Sequence, residues 1–267
     1  TIELVLNAKL TNVSGHTIVV KYGGNLTISG SGTVDNTTHQ RAAIDNEIGG
    51  VVVLNGGTFT RSAETGSSPS EGGANTFYTI RNHGTMTFNA GVVVSQNGHF
   101  SSLVENGFYN GTLENPSGGA ATMIINGGNF TGGINTIKND DYGVLTIYDG
   151  NFANTTQAAL LNWNEATVEN GTFESTGPAV LNGGGNATMD KGTLKLKGGT
   201  FTGAAGQDAV AAMNGQASYL NGVDITGGAY SSDVSQMVAT GSSELVKASG
   251  DNRYQVGQYT SSTNGVT

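Results

Sequence analysis

The chain has 267 residues, room for one elongated domain or two compact ones, with 43 Gly, 3 Pro and no Cys. A formal net charge of −9 with only 11 Lys and Arg argues against nucleic acid and anionic membrane as partners, since both call for a basic face. Without Cys there are no disulfides, thiolate metal sites or thiol nucleophiles, and no apolar run is long enough to span a bilayer.

Taken from its start, the chain shows no signal peptide. Thr1-Ile2-Glu3 begins inside a strand-like segment, as an excised piece of a longer protein would. Thr1 to Ser14 is expected to cap an open end or to form a partial coil, because terminal repeats are atypical. Ile18-Val19-Val20 and Leu26-Thr27-Ile28 fit the repeat that follows with a one-residue shift.

That repeat is carried by Gly-x-Phe: Gly57-Thr58-Phe59, Gly128-Asn129-Phe130, Gly150-Asn151-Phe152, Gly171-Thr172-Phe173, Gly199-Thr200-Phe201 and Gly228-Ala229-Tyr230. Weaker copies put Val34 and Val93 in the same series. The shortest spacings, 22 from Phe130 to Phe152 and 21 from Phe152 to Phe173, set a coil of solenoid size, with longer spacings as insertions. Five residues before each anchor stand Leu54, Phe88, Ile125, Ile147, Val168, Leu196 and Ile225, and seven before stand Val52, Met86, Met123, Leu145, Ala166, Leu194 and Val223. Between them lie Val53, Thr87, Ile124, Thr146, Thr167, Lys195 and Asp224. This is the alternation of a strand with one buried face. A second series, Asn46, Asn82, Asn106, Asn139, Asn162, Asn182 and Asn214, marks a corner in each coil. Asn and Gly tolerate the backbone that corners need, and stacked Asn side chains hydrogen-bond along the axis. The expected fold is all-β: a right-handed parallel β-helix (β-solenoid) of about eight coils, its hand taken from the chirality of parallel crossovers.

Insertions interrupt the pattern at Arg61 to Thr76, at Gly107 to Gly119 and at Gly183 to Lys191. The first reads as exposed and mobile from its Ser, Gly and Glu content. After Tyr230 the character changes. Ser231 to Val238 reads as a short N-capped helix. Glu244-Leu245-Val246-Lys247 and Arg253-Tyr254-Gln255-Val256 flank Gly250-Asp251-Asn252 as a hairpin. The expected organisation is a solenoid over 1–233, a cap over 234–257 and the start of a linker over 258–267.

The closing segment, Gly227-Gly228-Ala229-Tyr230-Ser231-Ser232-Asp233-Val234 with Val246-Lys247 and Tyr254-Gln255-Val256, resembles the end of Gly-Gly-x-Phe β-helix regions in cell-wall surface proteins of Gram-positive and gut bacteria. These are similar to fibrillar adhesins, in which a β-solenoid head sits on a stalk. The resemblance implies an extracellular, cell-surface location and a monomeric head of a longer chain. It also implies a binding role toward a host or environmental glycan or surface protein, and it supplies no catalytic residues.

The search for chemistry finds little. His16, His39, His83 and His99 are scattered without metal-ligand spacing. Neither a phosphate-binding loop nor a nucleophile elbow is present, so no cofactor and no metal are expected. One edge stands out, just after the Asn corners: His83, Phe108 and Tyr109, Asp140, Asp141 and Tyr142, then Trp163 and Glu165. Aromatic rings beside acids suit a sugar or peptide ligand. Asp141 and Glu165, on adjacent coils, are also candidates for the carboxylate pair of a glycoside hydrolase. A polysaccharide lyase or hydrolase is therefore one alternative to the binding head, and a structural spacer is another. One residue before each Asn runs a second column: Asp45, Arg81, Glu105, Lys138, Leu161, Leu181 and Met213. Its charges alternate and then give way to an apolar strip, expected to be partly covered by the chain itself, with a contact patch for another protein as the alternative.

Overall fold

The computed structural model describes residues 1–38, 40–67, 77–184, 192–240, 243–247 and 253–258. The chain is a parallel β-helix. Nine strands from Ile2–Val5 to Val223–Ile225 form the first sheet, and eight from Ile18–Val20 to Val210–Ala212 form the third. The second sheet runs from Lys9–Asn12 to Gly228–Tyr230 and continues into a terminal hairpin. Each coil visits the three sheets in turn, so every strand pairs in parallel with its counterpart one coil away. Counting coil 1 from Ile2, eight coils are complete among the described residues and the ninth has strands Val223–Ile225 and Gly228–Tyr230.

Hydrophobic columns hold the stack together. Val52, Leu54, Met86, Phe88, Met123, Ile125, Ile147, Val168, Leu194 and Leu196 are fully buried. Phe130, Phe152, Phe173, Phe201 and Tyr230 form a continuous pile, with ring centroids 5.0, 4.6, 4.9 and 4.9 Å apart. The glycine of Gly-x-Phe has a steric reason. Gly150 has φ 144°, and a Cβ there would meet the Phe152 ring at 3.0 Å, so the ring folds back over its own glycine. Tyr230 closes the pile and its hydroxyl donates to the Gly227 carbonyl at 2.7 Å.

The Asn corners form an internal amide ladder. Each Nδ2 donates to the next Oδ1, from Asn46 through Asn82, Asn106, Asn139 and Asn162 to Asn182, at 2.7 to 2.9 Å. All six side chains are fully buried, so the ladder satisfies polar groups that water cannot reach.

Two anchors fall elsewhere than expected. Val94, not Val93, pairs in register with Phe59 and Phe130. The turn after Phe88 holds one extra residue, and three consecutive valines offer hydropathy no way to choose among them. Phe88 packs edge-on to Phe130 at 5.3 Å, beside the slot that the smaller valine occupies. Ala212, not Asn214, pairs with Asn182. Asn214 sits in a following 3-10 turn with φ 54°, a conformation asparagine tolerates.

Thr1 to Ser14 supplies two strands of coil 1, paired with Asn25–Ser29 and Thr33–Asn36. The start of the first insertion is packed rather than exposed: Arg61 and Glu64 are fully buried and paired at 2.6 Å, and Arg61 also donates to the Phe77 carbonyl. Residues 68–76 and 185–191 lie outside the described residues. The helix expected over Ser231 to Val238 is one 3-10 turn, Ser235–Met237, with the Ser235 N–H donating to Asp233 Oδ1 at 2.8 Å. Strand Tyr254–Gln258 pairs antiparallel with both Ser243–Lys247 and Gly228–Tyr230. Gly250-Asp251-Asn252 and residues 259–267 lie outside the described residues. No helix among the described residues is long and apolar enough to cross a membrane.

Candidate functional site

The site is built on the outer side of the third sheet. Asp45, Arg81, Glu105, Lys138, Leu161 and Leu181 stand in register on successive coils, each one residue before a ladder Asn. Alternation turns them outward while the core residues beside them face inward. Arg81 grips Asp45 bidentately, Nε to Oδ1 at 2.6 Å and Nη2 to Oδ2 at 2.9 Å. Lys138 Nζ lies 3.0 Å from Asp140 Oδ2. Leu161 and Leu181 pack with Ala158 and Trp163 into a small apolar cluster outside the main core.

This column is not open to solvent. Tyr78 and Phe100 come from the segments leading into the third-sheet strands, and Tyr109 comes from the insertion after Asn106. Gly107 admits that insertion: with φ 115° it lies so close that a Cβ would sit 2.7 Å from the Asp141 carbonyl. The Phe108 N–H donates to the same carbonyl at 2.9 Å. What remains open is a cleft of about 400 Å³. Tyr78, Phe100, Tyr109 and Trp163 wall it, and Lys138, Leu161, Asn135, Gln157, Ser101 and Ser102 complete the lining with Ile134 and Met213.

Lys138 organises one end. Its ammonium lies 3.8 Å from the Trp163 ring centroid and 4.6 Å from that of Tyr109, an arrangement cation–π attraction favours. The two rings are 6.3 Å apart and inclined at 33°. At the other end Asn135 Nδ2 donates to Gln157 Oε1 at 2.9 Å and to Ser102 Oγ at 3.2 Å.

Beneath the floor the electrostatics are acidic. Burial, reinforced by Asp140, pushes the Glu105 carboxyl well above the usual range, and burial also raises Asp140. Such neighbours disfavour holding both charges at once. The Tyr78 phenol is raised by burial and then by Glu105 and Asp140. His83 is lowered to about 4, by burial first and then by Arg81. It is therefore neutral at neutral pH, and it lies against Phe108 with centroids 4.3 Å apart.

The edge expected from sequence divides into parts. Tyr109 and Trp163 line the cleft. His83, Phe108, Asp140 and Asp141 are buried and do not line it. Tyr142, half-buried with φ 59°, meets Phe108 edge-on at 6.2 Å. Glu165 is exposed at the start of a first-sheet strand, whereas Asp141 is fully buried, so the two carboxylates do not face a common substrate. Sequence reasoning picked Lys138, Leu161 and Met213 as a column but not as a site. It missed Tyr78, Phe100, Asn135 and Gln157. The available signal was position: Tyr78, Phe100 and Gln157 precede a third-sheet strand and Asn135 begins one, on coils 3 to 6.

Among the described residues, no group of three or more His, Asp or Glu is placed to hold a metal ion. Comparison with known proteins finds no matching family model, and neither the curated proteins nor the solved structures provide a match.

Proposed function

We propose that this chain is a glycan-binding head of a bacterial cell-surface adhesin and that the cleft over its third sheet receives the ligand. The observation that carries the reading is the inclined Tyr109–Trp163 ring pair at one end of a 400 Å³ cleft that also holds Asn135, Gln157 and two serines. Rings give a sugar its apolar face, and amides and hydroxyls meet its hydroxyl groups. The extracellular, cell-surface location rests on the resemblance to adhesin β-helix regions.

The test is a glycan array followed by calorimetry on its hits, with Tyr109→Ala and Trp163→Ala variants checked for intact fold by circular dichroism. Both variants are expected to weaken binding at least about tenfold, since each removes a stacking surface. Full-strength binding by both variants would sink the site.

A polysaccharide-active enzyme is the second reading, favoured by the Glu105–Asp140 carboxyl pair with its raised proton affinities. Those groups are 1% and 0% exposed and do not line the cleft, which weighs against it. Turnover of any polysaccharide, abolished in Glu105→Gln, would make this reading the better one.

A further inference from the structure

The cleft has a direction. Its two polar ends lie along one third-sheet strand, Asn135–Asn139, and not along the solenoid axis. Asn135 pairs in register with Ala158, and Gln157 precedes Ala158, so the amide end sits where the strands begin. Lys138, three residues further on, lies under the Trp163 and Tyr109 rings. At ~3.3 Å per residue the two ends stand about 10 Å apart.

Each end also holds an unanswered polar atom. Asn135 Oδ1 and Trp163 Nε1 are buried without a hydrogen-bond partner, although both residues line the cleft and are only 2% and 8% exposed. A buried polar atom left unpaired is costly, so a group that pairs with it is strongly selected. Asn135 Oδ1 needs a donor and the indole N–H needs an acceptor. A sugar hydroxyl is both. Turned over, the Asn135 amide would offer an N–H instead, and a hydroxyl would still answer it.

Charge narrows the class further. Lys138 is the only charged residue lining the cleft among those described, and it is already paired with Asp140 at 3.0 Å. Glu105 and Asp140 lie buried beside Lys138 and do not line the cleft. Among the described residues no uncommitted cation lines the cleft to receive a carboxylate or sulfate.

Resting on the glycan reading above, we propose that the ligand is a neutral oligosaccharide lying parallel to the strands, one sugar at the Asn135–Gln157 end and another at the Tyr109–Trp163 end. Calorimetry with the intact chain tests this, using neutral oligosaccharides chosen from array hits, their component monosaccharides, and acidic counterparts carrying a uronate or sialate. The oligosaccharide is expected to bind at least about tenfold more tightly than either monosaccharide, because it alone reaches both ends. Asn135→Ala and Trp163→Ala should each weaken the oligosaccharide. Trp163→Phe, which keeps a ring and removes the N–H, should produce a smaller loss, about fivefold. Monosaccharides binding as tightly as oligosaccharides, or acidic glycans outcompeting neutral ones, would overturn the inference and leave the glycan-binding reading intact. Failure to bind any glycan would overturn both.

Discussion

Replacing Asn139 with alanine removes four hydrogen bonds from the middle of the amide ladder. Its Nδ2 donates to Asn162 Oδ1 at 2.9 Å, to the Glu165 carbonyl at 2.9 Å and to the Gly143 carbonyl at 3.1 Å. Its Oδ1 accepts from Asn106 Nδ2 at 2.8 Å. A net hydrogen bond contributes about 1 kcal/mol, and a buried group left unpaired costs about 1–3 kcal/mol more. The Asn106 amide keeps the Ala121 and Val144 carbonyls as acceptors, so the damage falls on the coil 6 side. A loss of about 3–5 kcal/mol follows. The control is Asn126→Ala. Asn126 makes a comparable link to Asn89 at 2.7 Å, but on the exposed surface, where water replaces it and the expected loss is under about 1 kcal/mol. Urea unfolding followed by circular dichroism compares the two through midpoint and slope. Should Asn139→Ala fall within about 1 kcal/mol of Asn126→Ala, the claim that the ladder matters because it is buried is refuted. Asn139→Asp sharpens the test. It keeps an acceptor for Asn106 but turns the three donated contacts into oxygen facing oxygen, so at neutral pH it should be worse than alanine.

Phe152 lies between Phe130 and Phe173 with ring centroids at 5.0 and 4.6 Å. Phe152→Ala is expected to cost about 3–5 kcal/mol in the same assay, and a loss below about 1 kcal/mol would mean the pile repacks freely. His83 supplies a pH test. Its folded pKa of about 4 lies below the ordinary 6.5, so between those values the unfolded chain binds more protons and stability falls as pH falls. The full loss is about 3 kcal/mol, complete below pH ~4. Glu105, raised by burial, acts in the opposite sense: its contribution declines as pH rises above the ordinary carboxylate range. Subtracting the His83→Gln stability curve from that of the parent isolates the histidine. A difference that stays flat from pH 7 to 4 would show that His83 is not held neutral.

The columns were legible because a solenoid writes one short-range rule many times. Leu54, Ile125, Ile147 and Val168 recur at a fixed offset from an aromatic residue, and each repeat corroborates the rest. Legibility failed where one residue type served two purposes. Asn214 occupies a left-handed turn and Asn182 a ladder position, yet both read alike, since asparagine suits either. Val93 and Val94 are one letter apart and differ only in which way they face. Arg61 and Glu64 read as surface charge and prove to be a buried pair. The cleft was half visible. Trp163 and Tyr109 stood out as aromatics at corners, but their partners Asn135 and Gln157 lie at the far end of the strand, in another column. Only the coil-to-coil register brings those columns onto one surface. What marks a site in this fold is two columns read together, which a scan along the chain does not do.

The ladder also bears on how the molecule would break. Its links, like the backbone bonds between coils, point along the solenoid axis, so tension applied along that axis is carried by every coil junction in series. Junctions from coil 2 to coil 7 each include an amide link of 2.7 to 2.9 Å. Coil 1 offers Val20 opposite Asn46, and coil 8 offers Ala212 opposite Asn182, so those junctions lack the link. The eighth junction, to the two-strand ninth coil, lacks it too. Stretched from its ends, the rod parts at its first, seventh or eighth junction and leaves coils 2 to 7 intact. The cleft, spread mainly over coils 4 to 6, lies within the section that holds.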